Sequence, residues 1–216
     1  MKDKVSSVAL KCQVMFQEDE MFKELVFTQE APTENDAYAG GGAYLPATLG
    51  WPTSSDGEPL MHLLALPSHW LGDADARCWI SIFIPVQPEG APHYRALRYQ
   101  DGRSQAVVLR YARHVELRHG ADAGIDPPGK VVLVQVDECD DDENLASKVD
   151  GVDAWLQAPL ELPGAHRRLS LYGGDLDRSL PGHKGLLCDG MGYLLLSDAF
   201  VAGDTDGVNG FFLQLG

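Results

Sequence analysis

Between Gly40 and Leu66 the chain reads GGGAYLPATLGWPTSSDGEPLMHLLAL, and few backbone paths satisfy it. A flexible glycine run leads into Leu45-Pro46, then Trp51-Pro52, a turn at Asp56-Gly57, and Pro59-Leu60 opening an apolar strand. Proline fixes φ and removes a hydrogen-bond donor, while glycine admits the backbone conformations that turns require. A long helix is excluded here, and Trp51 has no evident partner except a core or a ligand.

The rest of the chain is punctuated in the same way. Val8, Leu10, Cys12, Val14 and Phe16 alternate with mostly polar residues, the signature of a strand. Asp19–Val26 reads as a short helix on the i,i+4 pairs Met21/Leu25 and Phe22/Val26, and Ala31–Gly42 reads as a loop. Leu60–Leu66 and Cys78–Val86 are strand-like. Ile80, Ile82 and Ile84 point one way and Trp79 and Phe83 the other, so both faces of that strand are covered. Asp101-Gly102 signals a hairpin between Arg98–Gln100 and Ala106–Tyr111. Asp126-Pro127-Pro128-Gly129 turns into a strand at Val131–Val136. Leu169–Tyr172, Gly192–Leu196 and Phe211–Leu215 complete roughly eight to ten strands with few helices. The expectation is a mainly β (α+β) fold of mixed or antiparallel sheets with few short helices, in one domain spanning 1–216. The glycine entries Gly40-Gly41-Gly42 and Gly173-Gly174 leave room for duplicated β lobes.

Net charge narrows the function classes. The chain carries 32 acidic and 17 basic residues, or −15, with an apolar fraction of 44% typical of a globular protein. Such a field repels nucleic-acid phosphates and anionic membranes and attracts cationic partners. From Asp137 to Gly216 there are 15 acids and 5 bases, whereas Tyr94–His119 holds six of the ten arginines. Those arginines are expected to pair with acids on neighbouring strands. No apolar run reaches bilayer-spanning length, and Lys11 and Gln13 interrupt any signal-peptide core, so a cytoplasmic location is expected. Cys12, Cys78, Cys139 and Cys188 show no C-x-x-C spacing and are expected to be reduced thiols.

No motif announces catalysis. The seven histidines form no H-x-H or H-E-x-x-H, no serine sits in G-x-S-x-G, and Gly190-Met191-Gly192 opens a strand rather than a helix. His62, inside an apolar strand, reads as a core histidine. Asp204-Thr205-Asp206-Gly207 fails calcium-loop spacing and reads as a turn before the last strand. No metal, haem, flavin or nicotinamide cofactor is expected, and no enzyme activity. What stands out is Asp137-Glu138-Cys139-Asp140-Asp141-Asp142-Glu143, with six carboxylates in seven positions. Asp140 with Glu143 reads as a capping box for a helix ending near Lys148 and Gly151. Asp137 and Glu138 have no such role, and adjacent carboxylates repel unless something cationic neutralises them. Trp70, before the polar loop that holds Asp73 and Asp75, is a second candidate anchor for a partner.

The Gly40–Leu66 segment resembles the opening motif of the YwqG-like family of β-rich bacterial proteins. Gly151, Trp155 and Gln157 match the family's Gly-Gly-Tyr-Pro-x-Trp-Ile-Gln element without its Tyr-Pro pair. The end, CDGMGYLLLSDAFVAGDTDGVNGFFLQLG, is similar to the family's closing strands, so the match is best over 40–216. Where the family has Phe-Leu-Ala-Gln-Ile-Asp this chain reads His62-Leu63-Leu64-Ala65-Leu66-Pro67, and the polar Gln and Asp are gone. Some members of that family resemble immunity proteins encoded beside toxins of type VI or contact-dependent systems. The resemblance and the charge together imply an immunity protein that binds a cationic secreted toxin, a nuclease acting in the cytoplasm. Its contact residues would be Asp137, Glu138, Asp140, Asp141, Asp142 and Glu143, with Trp70, Asp73 and Asp75. The alternative is a small-ligand binder or enzyme using a cleft near Trp51 and Trp155.

Overall fold

The computed structural model describes residues 21–86, 94–120, 125–136 and 140–216. The strand expected at Val8–Phe16, Cys12, Asp137, Glu138 and Cys139 lie outside the described residues. Among the described residues ten strands form one antiparallel sheet: β1 (Phe22–Phe27), β2 (Ala37–Ala39), β3 (Met61–Pro67), β4 (Cys78–Ile84), β5 (Val107–Ala112), β6 (Gly129–Gln135), β7 (Lys148–Asp150), β8 (His166–Tyr172), β9 (Met191–Leu196) and β10 (Asn209–Gln214). Their order is β10-β9-β8-β7-β1-β6-β2-β3-β4-β5. The helices are short: α1 (Tyr94–Leu97), α2 (Gly173–Ser179), α3 (Asp198–Val201), and 3-10 turns at Ser68–Leu71 and Pro181–His183. The fold is mainly β.

That strand order is nearly symmetric. β2-β3-β4-β5 and β7-β8-β9-β10 are two four-stranded meanders, joined through the central pair β1/β6. In each meander the second strand has seven residues and is bulged at its second position, between His62 and Leu64 in β3 and between Arg167 and Leu169 in β8. A helical turn follows that strand in both, Ser68–Leu71 after β3 and α2 after β8. The free edges come together where Ser104 Oγ donates to the Phe211 carbonyl at 2.6 Å and Tyr99 meets Phe212 edge-on with ring centroids 5.1 Å apart. The sheet is therefore nearly closed, which covers most of what would be two exposed edges.

Strand alternation sorts the apolar residues onto two faces. One continuous interior core takes Leu25, Leu64, Leu66, Ile80, Ile82, Leu169, Leu171, Leu194 and Leu196, and is plugged by Leu176, Leu180 and Phe200 from the short helices. The opposite face of each meander is covered by the long segment between its first and second strands. Leu45, Leu60 and Trp51 cover Phe83 and Tyr111 in the first; Trp155, Leu156 and Leu162 cover Tyr193 and Phe212 in the second.

Several local expectations need correction. Phe22–Val26 is strand, not helix, because a spacing of four is also even, so i,i+4 pairs share a face in either structure. The buried pair Leu25/Phe27, two apart, decides for the strand, and β1 is hydrogen-bonded on both edges, to β6 and β7. The segment expected to be a loop at Ala31–Gly42 contains β2, three residues too short to show a period. No helix follows Asp140; the chain makes turns and enters β7. At Asp101-Gly102 the tight turn is present with φ of 49° and 79°, closed by a single Gln100/Arg103 bridge rather than long strands. Among the described residues no helix is long and apolar enough to cross a membrane.

Candidate functional site

Lys148 opens β7, and strand alternation sends it and Val149 to opposite faces of the sheet. Val149 points into the interior core beside Leu71, so Lys148 faces the other side, over the Phe22 ring at 5.4 Å. A fully buried ammonium requires a counter-charge and full hydrogen bonding. Asp140 supplies both: Nζ donates to its Oδ1 and Oδ2 at 2.7 Å each, with both side chains sealed from solvent. Asn144 Nδ2 donates to Oδ1 at 2.6 Å and the Val152 N–H to Oδ2 at 2.7 Å. Burial would raise the Asp140 pKa, but hydrogen bonds from Lys148, Asn144 and Val152 outweigh it and hold the carboxyl below its usual value.

A second cation closes the other end of this loop. The buried Arg167 guanidinium, at the bulge in β8, donates to the carbonyls of Asp150 at 2.9 Å, Gly151 at 2.8 Å and Val152 at 3.3 Å, and pairs with Asp153. Gly151 sits between the two, with φ of 71°, and a Cβ there would meet Asp140 Oδ2 at 2.1 Å and Phe22 Cβ at 2.7 Å. The result is a buried ionic hub that fixes the loop running from Asp140 into β7 and out again. On its outer side Asp141, Asp142 and Glu143 are exposed. Asp141 Oδ1 accepts the Glu143 N–H at 3.0 Å, which shapes the turn, and none of the three is in an ion pair with a described cation.

The structure separates the sequence candidates. Asp140 is an anchor whose carboxylate faces inward and is unavailable to a partner. Asp141, Asp142 and Glu143 are displayed; Asp137 and Glu138 lie outside the described residues. Trp70 is half-buried and packs on the interior core, on the side of β7 opposite Lys148. Asp73 is buried against Arg110, accepting at 2.8 Å from Nε with the second guanidinium nitrogen 2.7 Å away. Asp75 takes both ends of Arg77 at 3.0 Å, and these hydrogen bonds lower its pKa. Asp73 and Asp75 border a cavity of about 590 Å³ that Arg110, Arg168 and Asp198 also line. Its charges are matched in pairs, Arg168 with Asp198 included, so it is not a bare acidic surface. Of the arginines expected to pair with neighbouring acids, Arg110 does so.

Trp51 and Trp155 do not share a cleft. Trp51 meets Phe83 edge-on at 5.3 Å and its indole N–H donates to the Leu60 carbonyl at 2.8 Å; Trp155 lies on Tyr193 at 4.6 Å in a separate cluster.

The first meander holds a polar chain that no motif revealed. His62, the core histidine expected from its apolar strand, contacts the Gly40 carbonyl through Nδ1 at 2.9 Å and Ser81 Oγ through Nε2 at 3.2 Å. Ser81 Oγ in turn lies 2.7 Å from the Tyr111 hydroxyl. Since a carbonyl can only accept, Nδ1 carries the proton and Nε2 accepts from Ser81. Burial lowers the His62 pKa to about 4. His183 is buried nearby, against Gly40, with neither ring nitrogen hydrogen-bonded among the described residues; burial, then the neighbouring His62, lowers it to about 4. Among the described residues no third His, Cys, Asp or Glu joins these two in a metal-ligating group. Cys78 and Cys188 are free thiols.

No protein-family model matches the chain, and no curated protein matches it.

Proposed function

We propose that this protein is a binding protein that neutralises a cationic partner, an immunity protein against a secreted toxin that acts on nucleic acid in the cytoplasm. One observation carries the reading. The buried Asp140–Lys148 pair holds a loop in place so that Asp141, Asp142 and Glu143 stand exposed, in no ion pair with a cation among the described residues. A surface fixed before encounter loses less conformational freedom on binding than a flexible one. A toxin that grips phosphate must itself present basic side chains, and a carboxylate surface occupies them by the same electrostatics. The sequence continues this surface at Asp137 and Glu138, and the resemblance to YwqG-like proteins points the same way.

The test is protection. Cells expressing the product of the neighbouring gene should survive when this chain is co-expressed, and the two proteins should co-purify. The variant D141N/D142N/E143Q keeps side-chain size and should fold normally but lose protection. Full protection by that variant contradicts the reading.

A further inference from the structure

In a chain with nearly twice as many acids as bases, an exposed arginine without a carboxylate partner is unexpected. Of the described Lys and Arg, eight are in ion pairs: Lys23, Arg77, Arg110, Lys130, Lys148, Arg167, Arg168 and Arg178. Two more are otherwise engaged. Arg113 lies over the Tyr44 ring at 3.8 Å and the Trp79 ring at 4.2 Å, and Arg118 donates to the carbonyls of Pro46 at 2.9 Å and Leu49 at 2.7 Å. Four remain, and three of these, Arg95, Arg98 and Arg103, line one cavity of about 460 Å³. Gln100, Ser104 and Gln105 line it as well, and its one acid is the exposed Asp101.

The wall of this cavity is tied down at several points. Gln100 and Arg103 exchange backbone hydrogen bonds at 3.0 Å, and the Gln105 N–H donates to the Ala96 carbonyl at 2.8 Å. The Tyr99 hydroxyl donates to the Glu161 carbonyl at 2.6 Å, and Ser104 Oγ reaches Phe211. The segment that bears the three arginines is therefore clamped to the second meander at the seam where the sheet closes. Three exposed arginines whose backbone is fixed thus line one space, where their like charges repel until an anion enters.

We propose that this cavity binds a small, multiply anionic ligand carrying phosphate. Each guanidinium presents a planar fork of donors that fits phosphate oxygens in pairs, and three forks exceed what one carboxylate can satisfy. The two glutamines add neutral donors. The volume is that of a small-molecule site. A long polyanion would meet the field of the whole molecule at −15, which opposes it, while a compact one sits inside the local positive cluster. The site is independent of the acidic loop and of the immunity reading.

The experiment is isothermal titration of the full chain with inorganic pyrophosphate at low salt. We expect one saturable site per chain that weakens as salt rises. R98Q/R103Q, both exposed positions, should weaken it at least tenfold without lowering Tm. R178Q, an exposed arginine on α2 paired with Asp175, should leave it unchanged. No saturable binding up to millimolar pyrophosphate overturns the proposal. So does binding that R98Q/R103Q leaves intact, or a duplex DNA or acidic peptide that uses these arginines and is not displaced by pyrophosphate.

Discussion

The two meanders solve one structural problem with different chemistry. Each has a bulged seven-residue strand, and each places a buried polar side chain at the bulge: His62 in β3 and Arg167 in β8. In the first meander that side chain is neutral and feeds the chain from Gly40 through His62 and Ser81 to Tyr111. In the second it is charged, and with the Lys148–Asp140 pair it ties the loop from Asp140 to Asp153 onto the sheet. The neutral solution stabilises the sheet from within. The ionic solution also fixes the position of a surface loop. That difference places the displayed carboxylates on the second half of the molecule.

Breaking the ionic hub should have the largest effect. Asp140→Ala leaves Lys148 buried without its counter-charge, which costs about 3–5 kcal/mol. Urea unfolding should show a large drop in midpoint, and a shift of less than about 1 kcal/mol would mean that the hub does not hold the fold.

Acid weakens the buried histidines and the ionic hub in the same direction but over different pH windows. His62 and His183 titrate near pH 4 when folded and near 6.5 when unfolded, so the unfolded chain takes up protons that the folded chain refuses. This has no effect above pH 6.5, and stability falls as pH drops from 6.5 to 4, by about 3 kcal/mol for each histidine at the acid end. The Asp140 carboxyl acts in the same direction over a lower pH window. Its pKa is depressed, so its contribution is complete above the ordinary carboxylate value and is lost only as pH falls through the lower folded value. Unfolding curves between pH 7.5 and 4 should therefore show losses that His183→Leu roughly halves. An unchanged profile in that variant would contradict the assignment.

The neutral chain should be the more forgiving of the two. Ser81→Ala removes the link between His62 and Tyr111 and leaves their facing groups unpaired, a cost of about 1–3 kcal/mol. Thermal denaturation should rank it clearly above Asp140→Ala. The reverse order would mean that the first meander, not the second, depends most on its polar interior.

Much of the sheet was legible because β3, β4 and β9 are apolar runs, and β8 and β10 carry apolar stretches at Leu169–Tyr172 and Phe211–Leu213 beside glycines. β1 was not, since its i,i+4 pairs fit helix and strand alike, and only pairing to β6 and β7 separates them. The candidate site was legible as composition but not as geometry. Asp140 and Glu143 have capping-box spacing, yet Asp140 turns away to a lysine eight residues on, and the Arg167–Asp153 and Arg110–Asp73 pairs span 14 and 37 residues. Long-range pairing leaves no local pattern. One clue was present: Lys148 lies directly before Val149 at the start of a strand, a position where a buried lysine demands a partner.

On the proposed function, the hub serves to display Asp141, Asp142 and Glu143 to a cationic protein. Stopped-flow association with a basic toxin against which the chain protects, measured across ionic strength, tests that reading most directly. The expected result is a fast association rate that falls as salt rises, and a lower rate with a flatter salt dependence in D141N/D142N/E143Q. Identical rates and identical salt dependence in the two proteins would contradict it.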